Sequence, residues 1–132
     1  MSFEFPIRVY WEDTDAGGIV FYANYLKYFE RVRTEWLRSL GIDQSRLREE
    51  AGGMFVVVDT QVRYLQPARL DDLLRVTARM QEPGRVVLSI GQQALSQDGR
   101  LLAEGQIRIA WVDAATLQPT RLPESVLQAL QQ

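Results

Sequence analysis

Residues Asp13–Tyr25 read DTDAGGIVFYANY, and they stand between a run of alternating apolar residues and the most strongly periodic helical pattern in the chain. The protein around them contains no histidine and no cysteine. That removes the imidazole of Ser-His-Asp and Cys-His nucleophiles, and it removes the usual ligands of zinc. Carboxylate chemistry is what remains. Asp13 and Asp15 lie just before the Gly17-Gly18 pair and just before the helix. A carboxylate beside backbone N–H groups at a helix N-terminus combines a base with an oxyanion site.

On the upstream side, Ile7, Val9 and Trp11 alternate with Arg8, Tyr10 and Glu12, which predicts a first strand over Phe5–Glu12. Downstream, Tyr25, Phe29, Val32, Trp36 and Leu40 recur at helical spacing and predict a helix over Asn24–Leu40, with Asn24 as its N-cap and Gly41 at its C-terminal cap. Such a helix is about 25 Å long, enough to cross a sheet. The apolar stripe on it is core. Asp43–Glu50 predicts a short second helix capped by Asp43 and ended by Gly52-Gly53.

Four strands are expected next, over Met54–Gln66, Leu73–Glu82, Arg85–Ser96 and Leu101–Asp113. Turn chemistry separates them: Pro67 with Asp71-Asp72, then Pro83-Gly84, then Gln97-Asp98-Gly99. The short connections argue for antiparallel pairing of consecutive strands. Pro123–Gln132 predicts a terminal helix. One helix covers one face of a curved sheet, so edges and apolar surface are expected to be left over. A second copy of the chain is the natural cover.

The bulk properties set limits. A length of 132 residues predicts one domain over 1–132, with a core large enough to need no staples. The charge balance of −2 carries no electrostatic footprint for nucleic acid. All 15 basic residues but Lys27 are arginine, a preference that genomic base composition explains better than phosphate binding does. The absence of cysteine fits a cytoplasmic protein. The first residues show neither the basic nor the apolar region of a signal peptide, and stretches such as Met54–Val58 are far too short to span a membrane. The sequence reads as soluble.

Strand, DTD-A-GG-IV loop, long helix and antiparallel strands together resemble the hotdog fold, an α+β architecture in which one long central helix is wrapped by a curved antiparallel sheet of about five strands. Arg8–Tyr25 resembles the signature of the 4-hydroxybenzoyl-CoA thioesterase-like family, and more narrowly that of the Tol–Pal-associated acyl-CoA thioesterases. Two further stretches carry the narrower likeness: Glu30–Leu37, ERVRTEWL, and Tyr64–Asp72, YLQPARLDD. The resemblance implies hydrolysis of acyl-CoA thioesters, or of acyl groups on acyl carrier protein, by a homodimer or homotetramer with acyl sites between subunits. It implies no metal and no cofactor.

Residue by residue, the resemblance implies that Asp15 is the catalytic carboxylate, acting as base or as nucleophile. Tyr22 matches the position whose backbone N–H points at the thioester carbonyl. Gly17 and Gly18 match the tight loop that lets substrate approach the backbone. Asn24 stands among the substrate-binding positions, although its own sequence context reads as an N-cap. Arg63, Arg69 and Arg85 are candidates for the phosphates of coenzyme A, Arg85 through the turn before the fourth strand, although each reads more readily as a solvated surface charge. Asp13 reads as a structural loop residue. Many Tol–Pal-associated relatives carry histidine where this chain has Tyr22, so a backbone role survives here and a side-chain proton transfer does not.

A thioester suits so lean a site. Peptide hydrolysis must protonate an amine, whereas a thioester expels a thiolate whose conjugate thiol has a pKa of about 8.5. Two needs then remain: oxygen delivered to the carbonyl, and donors for the oxyanion that forms, each worth about 3–4 kcal/mol in a well-studied hydrolase. Hotdog hydratases resemble a design in which histidine works with an acid, and this chain has none. The other reading is a non-catalytic module that binds acyl thioesters in the same pocket.

Overall fold

The computed structural model describes residues 2–131. Strand β1 (Phe3–Arg8) leads through a 3-10 turn (Trp11–Asp13) and a loop into helix α1 (Asn24–Ser39) and helix α2 (Gln44–Ala51). Strands β2 (Gly53–Tyr64), β3 (Leu73–Glu82), β4 (Val87–Leu95) and β5 (Leu101–Asp113) follow, and helix α3 (Glu124–Leu130) ends the chain. The sheet has five strands in the order β1-β3-β4-β5-β2, with every pair antiparallel.

Helix α1 forms because its apolar residues share one face. Tyr25, Tyr28, Phe29, Val32, Trp36 and Leu37 are buried, at intervals of three and four. Its C-terminus closes in a Schellman motif: Gly41 N–H reaches Arg38 O at 2.9 Å and Ile42 N–H reaches Leu37 O at 2.9 Å. Gly41 takes φ 83° there. The helix lies on β3 and β1 and meets the inward row of the sheet, which includes Leu74, Val76, Leu88, Ile90, Ile107 and Ile109. Gly105 permits that contact, since a Cβ on it would stand 3.0 Å from Phe29 Cε2. One polar residue joins the row. Gln92 is satisfied at both ends, donating to Phe29 O at 3.0 Å and Thr77 O at 3.2 Å and accepting from Arg33 Nη1 at 3.0 Å. This wrapped helix is the hotdog arrangement.

Several expectations need correction. The first strand spans Phe3–Arg8 and not Phe5–Glu12. The alternation continues to Trp11, but the Asp13 carboxylate accepts the Tyr10 N–H at 2.8 Å and folds the chain into a turn. Trp11 is therefore 79% exposed instead of sharing the core with Ile7 and Val9. Helix α1 has Ala23 at its N-cap, and Asn24 is the first helical residue. Asp43 does cap α2, accepting from Arg46 N–H at 3.2 Å.

Consecutive strands pair for β3–β4 and β4–β5 but not for β2–β3. Residues 65–72, with Pro67 and with Asp71 at φ 70°, carry the chain from one edge of the sheet to the strand beside the other edge. Among the described residues no helix is long and apolar enough to cross a membrane. Residue 132 of the predicted terminal helix lies outside the described residues.

The outward sheet face is polar, with Gln61, Arg63, Arg79, Gln93, Gln106 and Arg108 exposed. The uncovered apolar surface lies elsewhere. Phe21, Tyr22 and Leu26 around the start of α1, and Val57, Val58, Tyr64 and Leu65 on and after β2, are all exposed.

Candidate active site

The loop between the 3-10 turn and α1 is tied at both ends to one residue. Asp13 is 6% exposed. Its carboxylate holds Tyr10 N–H, while its carbonyl accepts Phe21 N–H at 2.9 Å and Asn24 Nδ2 at 2.8 Å. The buried Tyr28 hydroxyl reaches toward the same carboxylate without a hydrogen bond of normal geometry. Burial first, and Asp13 second, push that phenol well above the ordinary tyrosine range. Asp13 is thus a structural hub.

Between these anchors the chain makes a small hairpin. Thr14 bridges Val20, Asp15 N–H bonds to Ile19 O at 2.9 Å, and Gly18 N–H bonds to Asp15 O at 3.0 Å. The hairpin is fastened to the β2–β3 crossover by Val20 N–H to Ala68 O at 2.9 Å and by an Ile19–Arg69 bridge. Asp15 sits exposed at its head. Its Oδ1 accepts the Gly17 N–H at 2.8 Å, and among the described residues Oδ2 has no protein donor. Both glycines are dictated by this geometry. A Cβ on Gly17 would lie 3.2 Å from Asp15 Oδ1, and Gly18 takes φ 79°. An open hollow of about 380 Å³ adjoins Asp15, walled by Trp11, Glu12, Thr14, Gly18 and Leu70.

At the start of α1 most backbone donors are already used. Asn24, Tyr25 and Leu26 N–H bond back to Phe21, Tyr22 and Ala23 O at 2.8, 3.4 and 3.1 Å. Phe21 N–H is taken by Asp13. Tyr22 and Ala23 N–H are left without a protein acceptor among the described residues, and adjacent unpaired donors at a helix start suit a developing negative oxygen. The Tyr22 side chain is 62% exposed, with its ring edge-on to Tyr64 at 6.0 Å. Its hydroxyl makes no hydrogen bond to the described residues.

A profile of the Thioesterase-like superfamily matches residues 9–130. The chain belongs to that superfamily. Among the curated relatives of this thioesterase-like protein, an acyl-CoA thioesterase YbgC from Haemophilus influenzae is 42% identical over 97% of this chain and 93% of its own. An acyl-CoA thioester hydrolase YbgC from Escherichia coli is 38% identical over 98% and 96%. Among solved structures, a probable thioesterase from Bartonella henselae superposes with a TM-score of 0.86 at 31% identity, covering 93% of this chain and all of that one (100%).

Within the thioesterase-like chain, Asp15, Gly17, Gly18, Tyr22 and Asn24 share one loop and helix start, as their positions in the sequence require. The Asn24 amide donates from Nδ2 to the Asp13 carbonyl and so braces the loop. The arginines divide. The Arg69 backbone lies beside the loop through its bridge to Ile19, with the residue exposed, whereas Arg63 pairs with Glu104 at 3.2 Å across the outward face. Arg85 lies just before β4, the full length of that strand from the Asp15 end of the sheet, roughly 30 Å. One chain does not bring Arg85 to Asp15. Leu70 of the hollow and Tyr64 escaped the sequence reading because only the folded chain sets them beside this loop, and the exposed Trp11 escaped because the alternation placed it in the first strand.

Replacing the buried hub tests its structural role. Asp13→Ala strands the Tyr10 N–H, which costs about 1–3 kcal/mol, and melting should fall by several degrees. Turnover of the folded protein stays within a few-fold of wild type. Thermal denaturation by circular dichroism beside kcat at 20 °C checks this, and a collapse in kcat at unchanged Tm would give Asp13 a chemical role.

Proposed function

We propose that this protein is an acyl-CoA thioester hydrolase in which Asp15 delivers oxygen to the thioester carbonyl and the Tyr22 backbone N–H stabilises the oxyanion. The observation that carries the reading is the pairing, on one short loop, of an exposed carboxylate with a free oxygen and of unpaired N–H donors at a helix start. The activity named for the YbgC relatives supports it. Asp15 acts either by taking a proton from water or by direct attack; both end in free acid and coenzyme A thiol. Gly17 and Gly18 leave the approach to the carboxylate open, and Asn24 holds the loop that presents it.

Residues 1–132 work as one catalytic domain, and the reaction belongs to the cytoplasm, where coenzyme A esters are made. Coenzyme A is taken as the carrier ahead of acyl carrier protein on the support of the acyl-CoA activity named for the YbgC relatives. Turnover of a panel of aliphatic and aromatic acyl-CoA esters, with the matching acyl carrier protein esters beside it, tests substrate and carrier together. Hydrolysis of at least one class is expected, unaffected by metal chelators, because the sequence offers no histidine or cysteine as a ligand. Binding of the whole panel without hydrolysis would favour the non-catalytic module.

The working unit is a homodimer, with a tetramer as a higher assembly. Support comes from β2, a twelve-residue edge strand whose Val57 and Val58 are 51% and 52% exposed. A groove of about 570 Å³ runs beside it, with Leu26, Val57 and Ile107 flanked by the charged Lys27, Glu30 and Arg31. Antiparallel pairing of two β2 edges sets the Arg85 end of one subunit beside the Asp15 end of the other. A bound coenzyme A would then meet Arg85 of the second copy. Val57→Asp combined with Val58→Asp should halve the mass seen by light scattering and abolish turnover. A wild-type monomer that is active at micromolar concentration would overturn the assembly.

A further inference from the structure

We infer that the Tyr64 hydroxyl is a positioning group for the oxyanion turn, an inference that rests on the thioesterase reading above. Tyr64, the last residue of β2, donates from its hydroxyl to Tyr22 O at 3.1 Å across 42 residues of sequence. Its ring is wedged between two aromatic neighbours, 6.0 Å from Tyr22 at 82° and 5.5 Å from Tyr25 at 59°. Although the residue is 47% exposed, these two ring contacts and the hydrogen bond fix where the hydroxyl sits.

The consequence follows from peptide planarity. Tyr22 C=O and Ala23 N–H belong to one rigid unit, while Phe21 C=O and Tyr22 N–H belong to the one before it. Asn24 N–H fixes the earlier unit through Phe21 O at 2.8 Å. Among the described residues, the later unit has only a long 3.4 Å contact from Tyr25 N–H and the Tyr64 hydroxyl to hold its carbonyl. Tyr64 therefore sets the angle between the two planes, and with it the relative directions of the two unpaired N–H donors. A hydrogen bond accepted at the carbonyl also polarises the N–H across the same peptide. Burial, and then the Tyr22 phenol, hold Tyr64 above the ordinary phenol range, so it stays a donor wherever hydrolysis is measured.

Tyr64→Phe keeps the ring and removes only the hydroxyl. Measured on a short acyl-CoA, kcat should fall roughly five- to twentyfold, with KM within twofold and with melting temperature and assembly unchanged. Loss of a contact made in the transition state produces that split. Tyr64→Leu removes ring and hydroxyl together and serves as the packing control. If Tyr64→Phe retains kcat within twofold while Tyr64→Leu loses it, the residue only packs and the inference falls. A loss confined to KM overturns it as well. Asp15→Asn, run in parallel, separates the two levels: turnover surviving Asp15→Asn sinks the thioesterase mechanism itself. Asp15→Asn inactive beside a wild-type Tyr64→Phe sinks only the role of Tyr64.

Discussion

Asp15→Asn is expected to fold, assemble and bind acyl-CoA as wild type does while losing 10²–10⁴-fold in kcat, the usual worth of a positioned base. The amide is nearly isosteric with the carboxylate, and its oxygen still accepts the Gly17 N–H that fixes the hairpin head. What it lacks is the basic or nucleophilic oxygen. Because the lost interaction belongs to the transition state, KM should change little. The carboxylate is exposed, so its removal leaves no buried charge unpaired and no reason for a fall in melting temperature. The check is kcat and KM on one aliphatic and one aromatic acyl-CoA, with Tm recorded alongside. Near wild-type turnover by the folded variant would pass the chemistry to another carboxylate or leave the protein a binding module.

Tyr22→Pro is the second large effect, and its contrast with Tyr22→Phe carries the information. Proline deletes the one backbone N–H assigned to the oxyanion. That donor has no structural partner among the described residues, so the fold forfeits no hydrogen bond there. A loss of about 10²–10³ in kcat is expected, the range seen for a single oxyanion donor. Tyr22→Phe keeps the N–H and the edge-on contact with Tyr64, and should stay within twofold of wild type. Proline also steers the preceding Phe21 toward extended backbone, so Tm and mass are measured on both variants. Equal losses in the two, with folding intact, would assign the phenol a chemical role.

Much of the fold was legible because local chemistry encodes it. Turn residues bracket Leu73–Glu82 and Leu101–Asp113 so tightly that the read and observed strands coincide. The stripe on α1 and the capping residues Asp43 and Gly41 act within a few positions of themselves. The first strand was misread for an equally local reason. Tyr10-Trp11-Glu12 continues the alternation, and only the Asp13 carboxylate bending back onto Tyr10 N–H ends it. Asn24 looked like a cap, but its amide found the Asp13 carbonyl eleven residues upstream.

By itself the sequence determined the α+β class, the long central helix, the exclusion of histidine and thiol chemistry, and a loop that sets Asp15, two glycines and Tyr22 together. Periodicity, turn chemistry and residue inventory are properties of short stretches, so they survive without the fold. Only the tertiary structure decided that β2 crosses to an edge, that Arg85 stands at the far end from Asp15, and which N–H groups remain unspent at the start of α1. It also brought Tyr64 onto the Tyr22 carbonyl. Each of these depends on which distant segments meet once the helix has buried its stripe in the sheet. Such meetings are settled by packing over the whole chain, and no short stretch of it records them.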